Sequence, residues 1–185
     1  AGENNISIAE NQESMDAERL DDTQQLKGQK RIALLIGNAN YQTSPLANPV
    51  NDVRGMATAL RKAGFTVIKH ENLNFRQMRE AVRDFGEKLS KDHVGLFYYS
   101  GHGVQVDGRN YLIPVNSDIK YEDEVASSAL DAEMVLAKLE SAKNKLNIVV
   151  LDACRDSPLG RRTRTSTKGL SNMNAASGTM IAFST

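Results

Sequence analysis

The sequence predicts an α/β fold, a mainly parallel sheet sandwiched between helices on both faces. Three observations predict it. Short apolar runs recur along the chain, bounded by glycine, asparagine or proline. Segments with apolar residues at three- and four-residue steps lie between them. The runs are continuous rather than alternating, as expected of strands covered on both faces. Strand and helix in turn argue for parallel pairing through right-handed crossovers.

The first run, Ile32 to Ile36 in "RIALLIGN", is closed by Gly37. A polar, proline-bearing loop follows. A helix is expected from about Asp52, with Val53, Met56, Ala57 and Leu60 on one face and Gly64 as its stop. "FTVIKH" is the second strand. Asn74 is placed to cap another helix, whose Met78, Val82, Phe85 and Leu89 form one face. "VGLFYYS" is the third strand, and Asp107-Gly108 is a turn signal that makes "YLIPV" a hairpin arm. Asp131 is placed to cap a helix bearing Met134, Val135, Leu136 and Leu139. "NIVVLDA" is the fourth strand and "GTMIAFS" the fifth. There is no internal repeat. The fifth strand would leave a sheet edge open, so a further segment is expected to pair with it.

The 185 residues suit one domain with a sizeable core. Zero net charge gives no global signal for nucleic acid or an anionic membrane. No apolar run approaches bilayer length, and "AGENNISIAE" has neither the basic start nor the apolar centre of a secretory signal. A signal removed ahead of this numbering would leave no trace. The lone cysteine, Cys154, rules out an internal disulfide and a multi-cysteine zinc site. It fits a reducing compartment, so a cytoplasmic location is expected. Charge is uneven along the chain. Residues 1–30 carry seven acids against three bases and read as an acidic extension outside the core. Residues 155–170 carry five bases against one acid.

The chemistry concentrates in two places. In "YYSGHGVQVDG" an apolar strand runs into His102, held between Gly101 and Gly103. Glycines there strip bulk from the backbone, which costs stability unless something must approach closely. In "VVLDACRD" a second strand runs into Cys154. Open α/β sheets form sites at the carboxyl ends of their strands. If the two strands are neighbours, an imidazole and a thiol emerge at one edge. That pairing activates cysteine, because thiolate rather than thiol attacks a carbonyl.

The two motifs, in this order and each at a strand end, resemble the caspase-like cysteine peptidases. Animal caspases carry Gln-Ala-Cys with a histidine about 50 residues upstream. Here the spacing matches and Ala153-Cys154 is kept, but Asp152 replaces the glutamine. With "GNANY" and "NDV" near the first strand, the closer likeness is to the metacaspase and bacterial orthocaspase branch. It covers residues 31–185, a caspase-like α/β/α sandwich made of the large subunit, a basic processing loop and one further strand. The last part of the sheet would be supplied by a small-subunit segment.

The resemblance implies that Cys154 is the nucleophile and His102 the general acid/base. It also implies that the backbone N–H groups of Gly103 and Cys154 receive the oxyanion. The bare Gly103 would then let a substrate carbonyl within about 3 Å. No third side chain is evident, and a backbone carbonyl is one way to orient the imidazole. The branch cuts after arginine or lysine. Asp152, two residues before Cys154, lies on the same side of its strand. The family pattern adds Asp52, Asp131 and Ser100 to the substrate pocket, where carboxylates suit a guanidinium. Arg161, Arg162, Arg164 and Lys168 then become candidate self-cleavage positions.

No cofactor is required by this chemistry. The resemblance makes calcium a candidate activator, for which hard oxygen ligands are suited, but no EF-hand loop is present and no family calcium site maps onto Glu122-Asp123-Glu124, a cluster that reads as solvated surface. Expected partners are protein or peptide substrates, and neither nucleic acid nor membrane. Simpler roles exist for several residues: Asp52 and Asp131 as helix caps, Cys154 as an inert thiol, the basic loop as a solvated linker. A catalytically silent caspase-like module that binds a partner is the alternative to an enzyme. A phosphate-binding domain fits less well, because "IGNANY" lacks repeated glycines.

Overall fold

The computed structural model describes residues 29–154, 170–175 and 177–184. The acidic stretch up to residue 28 and positions 155–169 of the basic loop lie outside these. Five strands run parallel: β1 (Arg31–Gly37), β2 (Phe65–Glu71), β3 (Val94–Val106), β6 (Leu146–Cys154) and β7 (Thr179–Ser184). Their order is β2-β1-β3-β6-β7. β4 (Arg109–Leu112) folds back antiparallel on the end of β3, and the two-residue β5 (Leu130–Asp131) pairs with β4. The β3–β4 turn is Asp107-Gly108, with φ of 49° and 78°. Positive φ at both central residues is the hairpin turn whose twist matches its strands.

Helices cover both faces, as the apolar runs predict. On one face, Val53, Ala57 and Leu60 of α1 (Pro49–Lys62) pack over Ala33, Leu35, Leu96 and Tyr98. On the other lie α2 (Phe75–Lys88) and α4 (Ala132–Ser141), beyond the short α3 (Val125–Ser128). Met78, Val82, Phe85, Val135, Leu136 and Leu139 meet Leu34, Ile36, Phe97, Tyr99, Val149 and Leu151 there. Each large side chain taken out of water contributes roughly 1.5–3 kcal/mol. Asn74 caps α2 as expected, in a reciprocal capping box with Gln77.

Three local expectations change. α1 starts at Pro49, where a missing N–H costs nothing, so Asp52 lies in its first turn and is not its cap. Met134 is 43% exposed and stands outside the buried face of α4. β3 does not stop at Ser100 but runs through the glycines to Val106. Pairing explains this: β6 holds β3 as far as His102, and β4 holds it from Gly103 onward. Among the described residues, no helix is long and apolar enough to cross a membrane.

Candidate active site

β3 and β6 are neighbours, and their register decides what meets at the carboxyl edge. Ser100 stands opposite Asp152, Gly101 opposite Ala153, and His102 opposite Cys154. The two residues expected to do chemistry are therefore adjacent across one parallel pair.

His102 is 2% exposed and is held at both backbone and ring. Its N–H donates to the Tyr41 hydroxyl at 2.9 Å. Its carbonyl accepts from the Tyr99 hydroxyl at 2.7 Å and from the N–H of Ile113 at 3.0 Å. Nε2 lies 2.7 Å from the carbonyl oxygen of Ser44. A carbonyl only accepts, so Nε2 carries a proton, and in the neutral ring Nδ1 has the basic lone pair. The Tyr41 ring packs on the imidazole with centroids 4.4 Å apart. Ser44 adopts φ of 58°, uncommon for a residue with a side chain, and its loop holds it there. Asn72 Oδ1 accepts from the N–H groups of Ala39 and Asn40, and Asn38 bonds to Leu73 and Ile113.

The glycines now have a structural reason. A Cβ on Gly101 would sit 2.6 Å from the hydroxyl oxygens of both Tyr41 and Tyr99. One on Gly103 would sit 2.9 Å from Ala153 Cβ and 3.0 Å from Leu170 Cδ2. The close approach at Gly103 is thus made by β6 and by the segment around Leu170, without appeal to a substrate.

Beside the His102–Cys154 register pair lies an acidic group on the α1 side of the sheet. Ser100 Oγ donates to Asp52 Oδ2 at 3.5 Å, the outer limit for such a bond. The Tyr98 hydroxyl donates to Asp152 Oδ2 at 3.1 Å. Burial, and then the charge of Asp152, push the Tyr98 hydroxyl well above its ordinary pKa, so it remains a donor. Among the described residues no lysine or arginine forms an ion pair with Asp52 or Asp152.

Asp131 stands apart from this group. β4 and β5 carry it two strands beyond β3, where it accepts from the N–H of Glu133 and pairs with Arg109. It lines a hollow of ≈ 480 Å³ with Phe75, Arg79 and Tyr111, and its contacts are those of a helix cap. Arg161, Arg162, Arg164 and Lys168 lie outside the described residues. Among those described, no three His, Cys, Asp or Glu side chains converge to hold a metal ion. In the Glu122–Glu124 turn, Glu124 accepts from the N–H groups of Lys120 and Tyr121.

Residues 30–185 match the family model of the caspase domain. The chain belongs to the caspase-domain family. It is 33% identical over 153 residues to human mucosa-associated lymphoid tissue lymphoma translocation protein 1, covering 82% of this chain and 17% of that protein. It is 32% identical over 136 residues to mouse caspase-1, covering 70% of this chain and 32% of that one. The chain thus spans a third or less of the length of these two relatives. Its fold is similar to that of the Drosophila initiator caspase Dronc, with a TM-score of 0.59 and 12% identity over 83% of this chain and 54% of that chain.

Within this caspase domain, the residues expected from the sequence, His102, Cys154, Asp152, Asp52 and Ser100, lie in β3, toward the end of β6 and in α1, but the residues that surround them were not anticipated. Tyr41, Ser44 and Tyr99 hold His102, and Tyr98 holds Asp152. "GNANY" contained the one available signal: an aromatic residue, Tyr41, in a polar loop directly after a strand.

Proposed function

We propose that this caspase domain is a cysteine endopeptidase that cuts after arginine or lysine, as in the metacaspase and orthocaspase branch. The observation that carries the reading is the register of His102 with Cys154 beside an acidic group. In the reaction, the Cys154 thiol gives its proton to His102 Nδ1 and the thiolate attacks the carbonyl carbon of the substrate. The backbone N–H groups of Gly103 and Cys154 receive the oxyanion. The C–N bond breaks, and the imidazolium returns its proton to the leaving amine. Water, deprotonated by His102, then attacks the thioester and releases the acid.

Asp52 and Asp152 supply the charge that a guanidinium or ammonium requires, and Ser100 lies between them. The same preference makes the bonds after Arg161, Arg162, Arg164 and Lys168 substrates of the enzyme itself. Among the described residues, the outer edge of β7 pairs with nothing, and Met180 there is 60% exposed. A further segment or chain completes the sheet at that edge.

The test is a set of fluorogenic peptides with Arg, Lys, Asp or Leu before the scissile bond, assayed with and without calcium. Arg and Lys peptides are turned over by the wild type and by neither Cys154→Ala nor His102→Ala. Preference for Asp, or turnover that survives Cys154→Ala, overturns the reading.

A further inference from the structure

Tyr98 lies on the α1 side of the sheet, below Asp152. It is 4% exposed, and its hydroxyl donates to Asp152 Oδ2 at 3.1 Å. The two are not register partners. Tyr98 stands opposite Val150 and Asp152 opposite Ser100, so the bond runs diagonally between β3 and β6. Phenylalanine would fill the same space, so packing alone does not call for the hydroxyl. Its effect is to fix one carboxylate oxygen, and with it the plane in which the other lies. Asp52 is held less firmly, because its Ser100 partner is 3.5 Å away. Orientation in the acidic group therefore rests on the Tyr98–Asp152 pair.

We propose that Tyr98 is a positioning residue for specificity: by locking the Asp152 carboxylate, it makes the site prefer arginine to lysine before the cut bond. The inference rests on the Arg/Lys reading above. A guanidinium is planar and presents its N–H groups in a fixed fork, so it gains only when the carboxylate has the matching orientation. An ammonium has three rotatable donors on a flexible stem and adapts to either orientation. Loss of the lock therefore penalises arginine and largely spares lysine.

The experiment measures binding in the full chain carrying Cys154→Ala, so that peptides stay intact. Two peptides, identical except for Arg or Lys before the scissile bond, are titrated calorimetrically, with and without Tyr98→Phe. With Tyr98 present, the Arg peptide binds more tightly. Tyr98→Phe weakens it about tenfold, as loss of one charge-assisted hydrogen bond predicts, and weakens the Lys peptide less than twofold. In the active enzyme, Tyr98→Phe raises KM for the Arg peptide and leaves kcat near the wild-type value. A purely structural role would weaken both peptides alike, and that result overturns the proposal. So does equal affinity for Arg and Lys with Tyr98 in place, which requires no variant to fold. If the Cys154→Ala protein binds neither peptide, the acidic-site reading itself falls and takes this inference with it.

Discussion

One hydroxyl, that of Tyr41, meets three partners around His102. It accepts the N–H of His102, lies 3.2 Å from the Tyr99 hydroxyl and donates to the carbonyl of Ile113 at 3.2 Å. Tyr41→Phe keeps the ring on the imidazole but leaves a buried N–H without its acceptor, which costs about 1–3 kcal/mol. The expected result is a lower melting temperature and a kcat reduced about tenfold with KM little changed, because the hydroxyl sets His102 and touches no substrate. Steady-state kinetics on an Arg peptide check this, and a change confined to KM counts against it. Why this residue was hard to read is a matter of distance. Tyr41 and Ser44 lie some 60 positions from His102, and Ser44 acts through its backbone carbonyl. A carbonyl is common to every residue, so no letter of the sequence marks it. The position of Asp152 was legible because alternation along a strand fixes its side relative to Cys154, whereas Ser100 was reached only through the family resemblance.

The elements were legible wherever pattern and burial agree. The five parallel strands coincide with apolar runs, and the α2 cap with an Asn-x-x-Gln signature. Two failures share one cause, pairing that no local pattern announces. The glycines of "SGHG" read as a strand end, yet β4 and β6 keep that stretch extended. β5 is two residues long, so nothing signalled that it would carry Asp131 away from the acidic group. Contacts between elements also set a pH dependence. Glu71, at the end of β2, is paired with Arg54 of α1 and with Lys69. Chiefly through the Arg54 hydrogen bond, and then that of Lys69, its carboxyl is held down at about 2, against an ordinary 4.5. A folded-state value below the unfolded one stabilises the fold above the unfolded value and is lost as pH falls through the folded one. The wild type should thus melt slightly above Glu71→Gln at pH 6, with the gap shrinking below about 4.5 and vanishing near 2. Arg54 is exposed and Glu71 partly so, so solvent screens the pair, and the gap is small and narrows in high salt. Thermal melts across that range check it, and a gap that persists at pH 2 rules it out.

At the scale of the whole molecule, the question is what self-cleavage would do to the fold. The basic loop follows Cys154 at the end of β6, and the structure describes the chain again from Leu170. From there it is tied back firmly. Leu170 and Met173 pack against the main core, and Leu170 touches the position of Gly103. The buried side-chain amide of Asn110 bonds both the carbonyl and the N–H of Ser171, at 2.7 and 2.8 Å, as a neighbouring strand would. β7 then pairs with β6 over six registered positions, from Asn147–Thr179 to Asp152–Ser184. None of these contacts needs the peptide bonds between residues 155 and 169. A cut there removes a loop constraint, and closing or opening a loop of that length changes the chain entropy by only a few kcal/mol. The strand ladder and the buried side chains remain. Wild-type protein clipped at Arg161, Arg162, Arg164 or Lys168 should therefore run as one species by native size exclusion and separate into two fragments only in denaturant. Cys154→Ala should stay intact by mass under both conditions. If clipped fragments separate in native buffer, the contacts of Leu170, Ser171 and β7 are too weak to hold the halves together. If Cys154→Ala is clipped as readily as the wild type, the cut is the work of another protease.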